Sequence, residues 1–228
     1  ALTLGDGNTL VGYASGAALV GGYNNVAIGN GALNDEVEGR GSTAVGVGTL
    51  QLQTNSSGAD TLNTAVGFLA ASAVTTGVYN TAVGALALDA ATINNRCTAV
   101  GYAALGAHNN ASTATTDNTA VGSSAGAGVT TGSQNTLLGT IAGVGITSGS
   151  QNTIIGADTA QVTSTGSVNT AVGYGTLQVV TSGSSNTAVG DRAGFALTSG
   201  SNNLFLGNDA GRTGSPGGNI ATGSNEMV

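Results

Sequence analysis

One histidine, one cysteine and eleven acidic side chains, with no cluster of titratable groups close in sequence, leave the 228 residues poorly equipped for acid–base, thiol or metal chemistry. His108 has no second His or Cys near it in sequence, which makes a poor zinc ligand set. Cys97 alone cannot close an intrachain disulfide and reads as a small buried apolar side chain. The acids gather once, at Asp35, Glu36 and Glu38 with Arg40 beside them, a pattern expected of a solvated turn. They show neither EF-hand spacing nor the Gly-Gly-x-Gly-x-Asp calcium repeat. A glycosidase needs two carboxylates ~5–9.5 Å apart in a cleft, and nothing in the sequence puts such a pair together. The expectation is a protein without catalytic residues, metal or cofactor.

Charge narrows the partners. There are four Arg, no Lys and a formal net charge of −7, and charged residues make up 7% of the chain, against roughly 25% in an ordinary domain. A nucleic-acid surface needs a basic footprint that is missing here. Forty Gly with a single Pro exclude collagen. An apolar content of 40% with a mean hydropathy of +0.19 argues against disorder. No stretch reaches the ~18 apolar residues of a membrane span. The chain is expected to be a fragment of a longer fibre.

The elements that must carry any function come from a repeat. Asn-Thr-Ala-Val-Gly recurs twelve times, closing on Gly12, Gly29, Gly46, Gly67, Gly84, Gly101, Gly122, Gly139, Gly156, Gly173, Gly190 and Gly207. Nine of the intervals are 17 residues and two are 21. With Asn as position one, position four is always aliphatic and position two is Thr except at Val26 and Leu204. These two share one face of a strand, and position three points the other way. Position four is expected to face inward. Position fifteen is Gly in nine copies and Asn94 in a tenth, the types that tolerate positive φ. Two turn points per coil predict two strands per coil, the second over positions eight to twelve. The fold is thus expected to be all-β: a parallel β-solenoid, a two-sided β-roll of 17-residue coils, favoured over a three-sided helix. Residues 1–228 would form one repeat domain of about twelve coils, with 21-residue coils at 42–62 and 97–117. The Asn column reads as a structural ladder of stacked amides.

Such a thin coil encloses little volume, so one chain buries little apolar area. Position three is expected to face outward as an apolar stripe, which marks an interface. Three rolls around one axis would bury it, intertwined or side by side. The interface candidates are Leu10, Ala27, Ala65, Ala120, Leu137, Ile154, Ala188 and Phe205.

Asn25-Val26-Ala27-Ile28-Gly29, and the Asn-Thr-Ala-Val-Gly consensus around it, resemble the pentapeptide of trimeric autotransporter adhesin heads such as YadA. Thr147 to Asn152 and Thr198 to Asn203 look similar to linkers of phage tail fibres and bacterial surface fibres. The resemblance runs from about Asn8 to Gly218, and it implies a homotrimer of left-handed β-rolls in an extracellular cell-surface or virion fibre. The period is longer than that of the YadA head, and Thr replaces Val at position two.

Function is expected where the repeat breaks its own rule. The two long coils carry insertions within 51–62 and 106–117. Gln51, Gln53, Asn55 and Asp60 in one, and His108, Asn109, Asn110 and Asp117 in the other, are candidates to bond a glycan or protein surface. Drift in a tolerant loop would leave the same trace. Tyr13, Phe68, Tyr102 and Tyr174 all fall at position six, where an aromatic can stack on sugar but is expected to cover a turn. The expected role is non-enzymatic attachment to a host, prey or other cell surface. The alternatives are an ice-binding solenoid, a fibre-borne polysaccharide depolymerase and a purely structural spacer. The inward direction expected of position four counts against the ice-binding reading.

Overall fold

A computed structural model describes residues 5–55, 58–110, 116–162 and 165–212. The described chain is a parallel β-solenoid with 17-residue coils, and no helix occurs among the described residues. It forms two compact units, Ala1–Asp117 and Asn118–Val228, the first ending where the second long coil ends. Residues 222–228, which read as the start of a thirteenth copy of the repeat, lie outside the described residues.

In the first unit, β1 (Thr9–Val11), β2 (Val26–Ile28), β3 (Thr43–Val45), β4 (Thr64–Val66), β5 (Thr81–Val83) and β6 (Thr98–Val100) pair in order. The second unit repeats the arrangement with β7 (Thr119–Val121), β8 (Thr136–Leu138), β9 (Thr153–Ile155), β10 (Thr170–Val172), β11 (Thr187–Val189) and β12 (Leu204–Leu206). Every pairing is parallel and in register, so position two meets position two and position three meets position three. Each coil therefore has one three-residue strand. Among the described residues the second strand expected over positions eight to twelve is absent, and turns stand in its place. Positions seven and nine adopt left-handed backbone, as at Leu69 (φ 54) and Ala71 (φ 51). A strand cannot pass through two left-handed residues, and the carbonyls of this side bond across to neighbouring coils instead, as in Leu88 N–H to Ala104 C=O at 2.9 Å.

The core corrects the facing of the strands. Position three points inward. Ala27, Ala65, Ala120, Leu137, Ile154, Ala188 and Phe205 are buried within their own chain, and Leu10 is half-buried in the first described coil. The eight interface candidates therefore belong to the core. Size matching across the coil explains why small residues fit there. Position three faces position nine, and Ala27, Ala44, Ala82, Ala99 and Ala171 are paired with Leu33, Leu50, Leu88, Leu105 and Leu177. Where position three is large, position nine shrinks: a Cβ on Gly143 would lie 2.8 Å from Leu137, and one on Gly211 would lie 2.4 Å from Phe205. Interiors at crystalline density admit one large side chain per level here, not two.

The Asn column is a ladder. Asn152 donates to Gly166 C=O at 3.1 Å and to Asn135 Oδ1 at 3.0 Å, and its own Oδ1 accepts from Asn169 N–H at 2.9 Å. Each amide thus ties its own coil shut and holds the next. Position fifteen is Gly for another reason than the one expected. Gly149 has no positive φ, but a Cβ there would sit 2.2 Å from Gly166 O, so the coils approach backbone to backbone. The turn glycine at position five does carry positive φ, as at Gly139 (φ 135).

Candidate functional site

The long coils turn inward where binding residues were expected to turn out. Gln53, Asn55, His108 and Asn110 are buried, which removes them as surface ligands in this chain. Gln53 and His108 occupy position twelve, the place of Leu19, Val74 or Ile146 in ordinary coils. Glu36 fills the same position and is fully buried, so the solvated turn expected for the acidic run does not include it. Its Oε1 accepts from Gly39 N–H at 2.7 Å, Val37 N–H at 3.0 Å and Asn55 N–H at 3.0 Å, and its Oε2 from Gln53 Nε2 at 2.6 Å. A buried carboxyl is tolerated when its lone pairs are filled in this way. Gln53 Oε1 in turn accepts from Asn63 Nδ2 at 2.8 Å, which carries the ladder across the insertion.

Ser42 and Cys97 complete that repair. They replace the ladder Asn in the two 21-residue coils, and each meets a Thr that closes the insertion: Ser42 Oγ lies 2.7 Å from Thr61 Oγ1, and Cys97 Sγ lies 3.0 Å from Thr116 Oγ1. The two small residues make room for the extra chain. Of the remaining candidates, Gln51 is half-buried, while Asp60 and Asn109 are exposed. Asp117 is bound to Arg96 at 2.8 Å. The insertions also run through 56–57 and 111–115, outside the described residues.

The outer surface of the strands is the feature that the sequence reasoning assigned to the interior. Positions two and four face outward in each unit. Val11 (56% exposed), Ile28 (38%) and Leu138 (45%) are open, Val45, Val66, Val83, Val100, Val121, Ile155 and Val172 are half-buried, and a Thr column runs beside them. No charged residue occupies positions two to four in any copy. In-register pairing sets a grid of about 4.8 Å between rungs and about 7 Å between positions two and four. Size matching between positions three and nine was the signal in the sequence that would have shown this facing.

Aromatics border that face. Tyr13, Phe68, Tyr102 and Tyr174 at position six are each half or more exposed, and do not pack over turns as expected. One more feature escaped the sequence: on the turn side of the second unit, Tyr174, Gly175, Gln178, Arg192, Phe195 and Arg212 line a groove of about 270 Å³. Among the described residues there is no group of three His, Cys, Asp or Glu side chains that could hold a metal ion. No helix there is long and apolar enough to cross a membrane. Compared with known proteins, the chain matches no family model, no curated protein and no solved structure.

Proposed function

We propose that this chain is a non-enzymatic segment of a trimeric extracellular fibre or adhesin head, built of left-handed coils and serving attachment to a cell surface. One observation supports the reading above the others: the outward positions two and four are as uniform as the core. Core packing makes no demand on an exposed residue, and β-propensity alone accepts Tyr, Phe or Ile as readily as Val. Yet position four stays aliphatic in all twelve copies and position two stays Thr in ten. A partner that repeats with the same spacing accounts for this, and a second and third copy of the chain supply one. The face is uncharged and largely aliphatic, as the centre of a self-association surface should be. The resemblance to YadA-like heads leads to the same assembly, with positions two and four at the interface rather than position three.

Light scattering tests it. The protein at micromolar concentration should show three times the chain mass. The double variant Val66→Lys/Val83→Lys should keep its far-UV circular dichroism and fall to monomer. A monomeric parent protein overturns the proposal.

A second reading draws on the outward Thr column, which removes the objection to ice binding. A regular grid of hydroxyl and methyl groups can order water in a lattice. Thermal hysteresis that Thr81→Tyr abolishes would favour this reading, and a monomer without hysteresis would leave neither.

A further inference from the structure

The groove on the turn side of the second unit is where this unit departs from its own blandness. It is built by positions six, seven and ten of successive coils. In the first unit, positions seven and ten hold no Arg and no aromatic residue, only Ala, Gly, Leu, Asn, Gln, Ser and one Asp, Asp89. In the last coils they hold Asp158, Arg192 and Asp209 at position seven and Gln161, Gln178, Phe195 and Arg212 at position ten. Two of the four basic residues of the whole chain thus line one groove.

Its groups are already sorted by partner. Arg212 stacks on Phe195, 5.3 Å from the ring centroid, and is held by Asp209 at 2.8 Å. Asp158 accepts from Gln161 Nε2 at 2.9 Å and is bonded to the Tyr174 hydroxyl. Asp191 accepts from Asn208 Nδ2 at 3.0 Å. Asp209 is thus ion-paired with Arg212, while Asp158 and Asp191 are hydrogen-bonded by neutral side chains. Arg192 makes no side-chain hydrogen bond or ion pair among the described residues, although it is only half-exposed. Gly175 (φ 60) lies against it, and a Cβ there would meet Arg192 Cγ at 3.5 Å, an ordinary contact distance. Beside it the Tyr174 ring is 50% exposed.

We infer that this groove binds an acidic sugar residue, with its carboxylate on the Arg192 guanidinium and its ring against Tyr174. A guanidinium fork matches a carboxylate with two parallel hydrogen bonds. The aromatic face takes the C–H side of a sugar ring, and Gln178, whose Nε2 has only long 3.4 Å bonds to Asp158 C=O and Gln161 Oε1, lines the groove with an amide that can bond a hydroxyl. The volume lies just under the roughly 300–1,000 Å³ of pockets for drug-sized ligands, which suits one sugar unit of a longer chain. The inference rests on the attachment reading and names a ligand class for it, on the turn side and away from the strand face.

The test is calorimetric titration with a glucuronate-containing oligosaccharide and with the same oligosaccharide carboxyl-reduced to the alcohol. The parent protein should bind the acid form, and carboxyl reduction and Arg192→Gln should each weaken binding about tenfold or more. Tyr174→Ala should weaken both forms, while the carboxyl-reduced form should be indifferent to Arg192→Gln. Circular dichroism on each variant checks the fold. Absence of binding at millimolar concentration, equal binding of the two forms, or an Arg192→Gln variant as strong as the parent overturns the inference. Light scattering on the same samples separates the two ideas: trimers without saccharide binding sink this site alone, and saccharide-binding monomers sink the trimeric assembly alone.

Discussion

Removing one rung of the amide ladder should weaken the second unit out of proportion to the few atoms lost. Asn152 is 2% exposed and its side chain makes three hydrogen bonds, two donated and one accepted. Asn152→Ala deletes all three. The two donated bonds are worth about 1 kcal/mol each net, and leaving the Asn169 N–H without its acceptor costs about 1–3 kcal/mol more. The sum, about 3–5 kcal/mol, is a large part of the roughly 5–15 kcal/mol that a folded domain commands. With a urea slope of about 2 kcal/mol/M, the midpoint should fall by about 1.5–2.5 M at unchanged slope. Ser199→Ala, at an exposed site, should stay within about 0.5 kcal/mol of the parent. Amide exchange adds a local readout. The Asn169 amide should lose protection by more than the Thr153 amide, whose bond to Asn169 C=O at 2.8 Å does not involve the side chain. A loss under about 1 kcal/mol, or equal changes at both amides, would refute the ladder as a source of stability.

The close backbone approach at position fifteen predicts that Gly149→Ala destabilises by about 3 kcal/mol or more, because the obstructing Gly166 O cannot rotate away; a midpoint like the parent's would contradict it. Ala99→Leu should cost about 1–3 kcal/mol by overpacking against Leu105. Adding Leu105→Gly should recover part of that loss, reproducing the Leu137 and Gly143 pairing, and failure of the pair to rescue would count against the size matching. The Tyr174 phenol should titrate above its ordinary value near 10, chiefly through its hydrogen bond to Asp158. Since the folded pKa is the raised one, this bond supports the fold below pH ~10 and is lost as pH climbs through the folded value. Asp158→Asn should bring the titration down, read as the difference between ultraviolet titrations with and without Tyr174→Phe.

Much of the coil was legible in the residues. The strict phase of Val66-Gly67, Val83-Gly84 and Val100-Gly101 gives the strand end and the turn without coordinates, because only Gly accepts the φ of 128–131° found there. The amide ladder was equally plain, since a buried Asn recurring once per coil has its neighbours' backbone as partner. Position fifteen was read as Gly correctly and for the wrong reason. Strand propensity carries no information on left-handed residues such as Leu69, Ala71 and Leu88, so the turn side was mistaken for a strand.

The candidate sites were less legible. His108, Gln53 and Asn55 are polar residues in insertions, a pattern that points to the surface, yet four extra residues can also fold back and fill a coil whose ladder Asn has become Ser42 or Cys97. Arg192 and Arg212 lie twenty residues apart, and only the stacking of coils brings them to one groove.

By itself, then, the sequence determined the period, the parallel register and the turn glycine, because those follow from residue type repeated at fixed spacing. Only the tertiary structure decided which face of the strand is inside. Alternation says that Thr and Val oppose Ala, but not which of them the interior can hold. That answer depends on what stands across the coil. Leu33, Leu50, Leu88 and Leu105 already fill it, so the small residue turns inward and the aliphatic column is left outside.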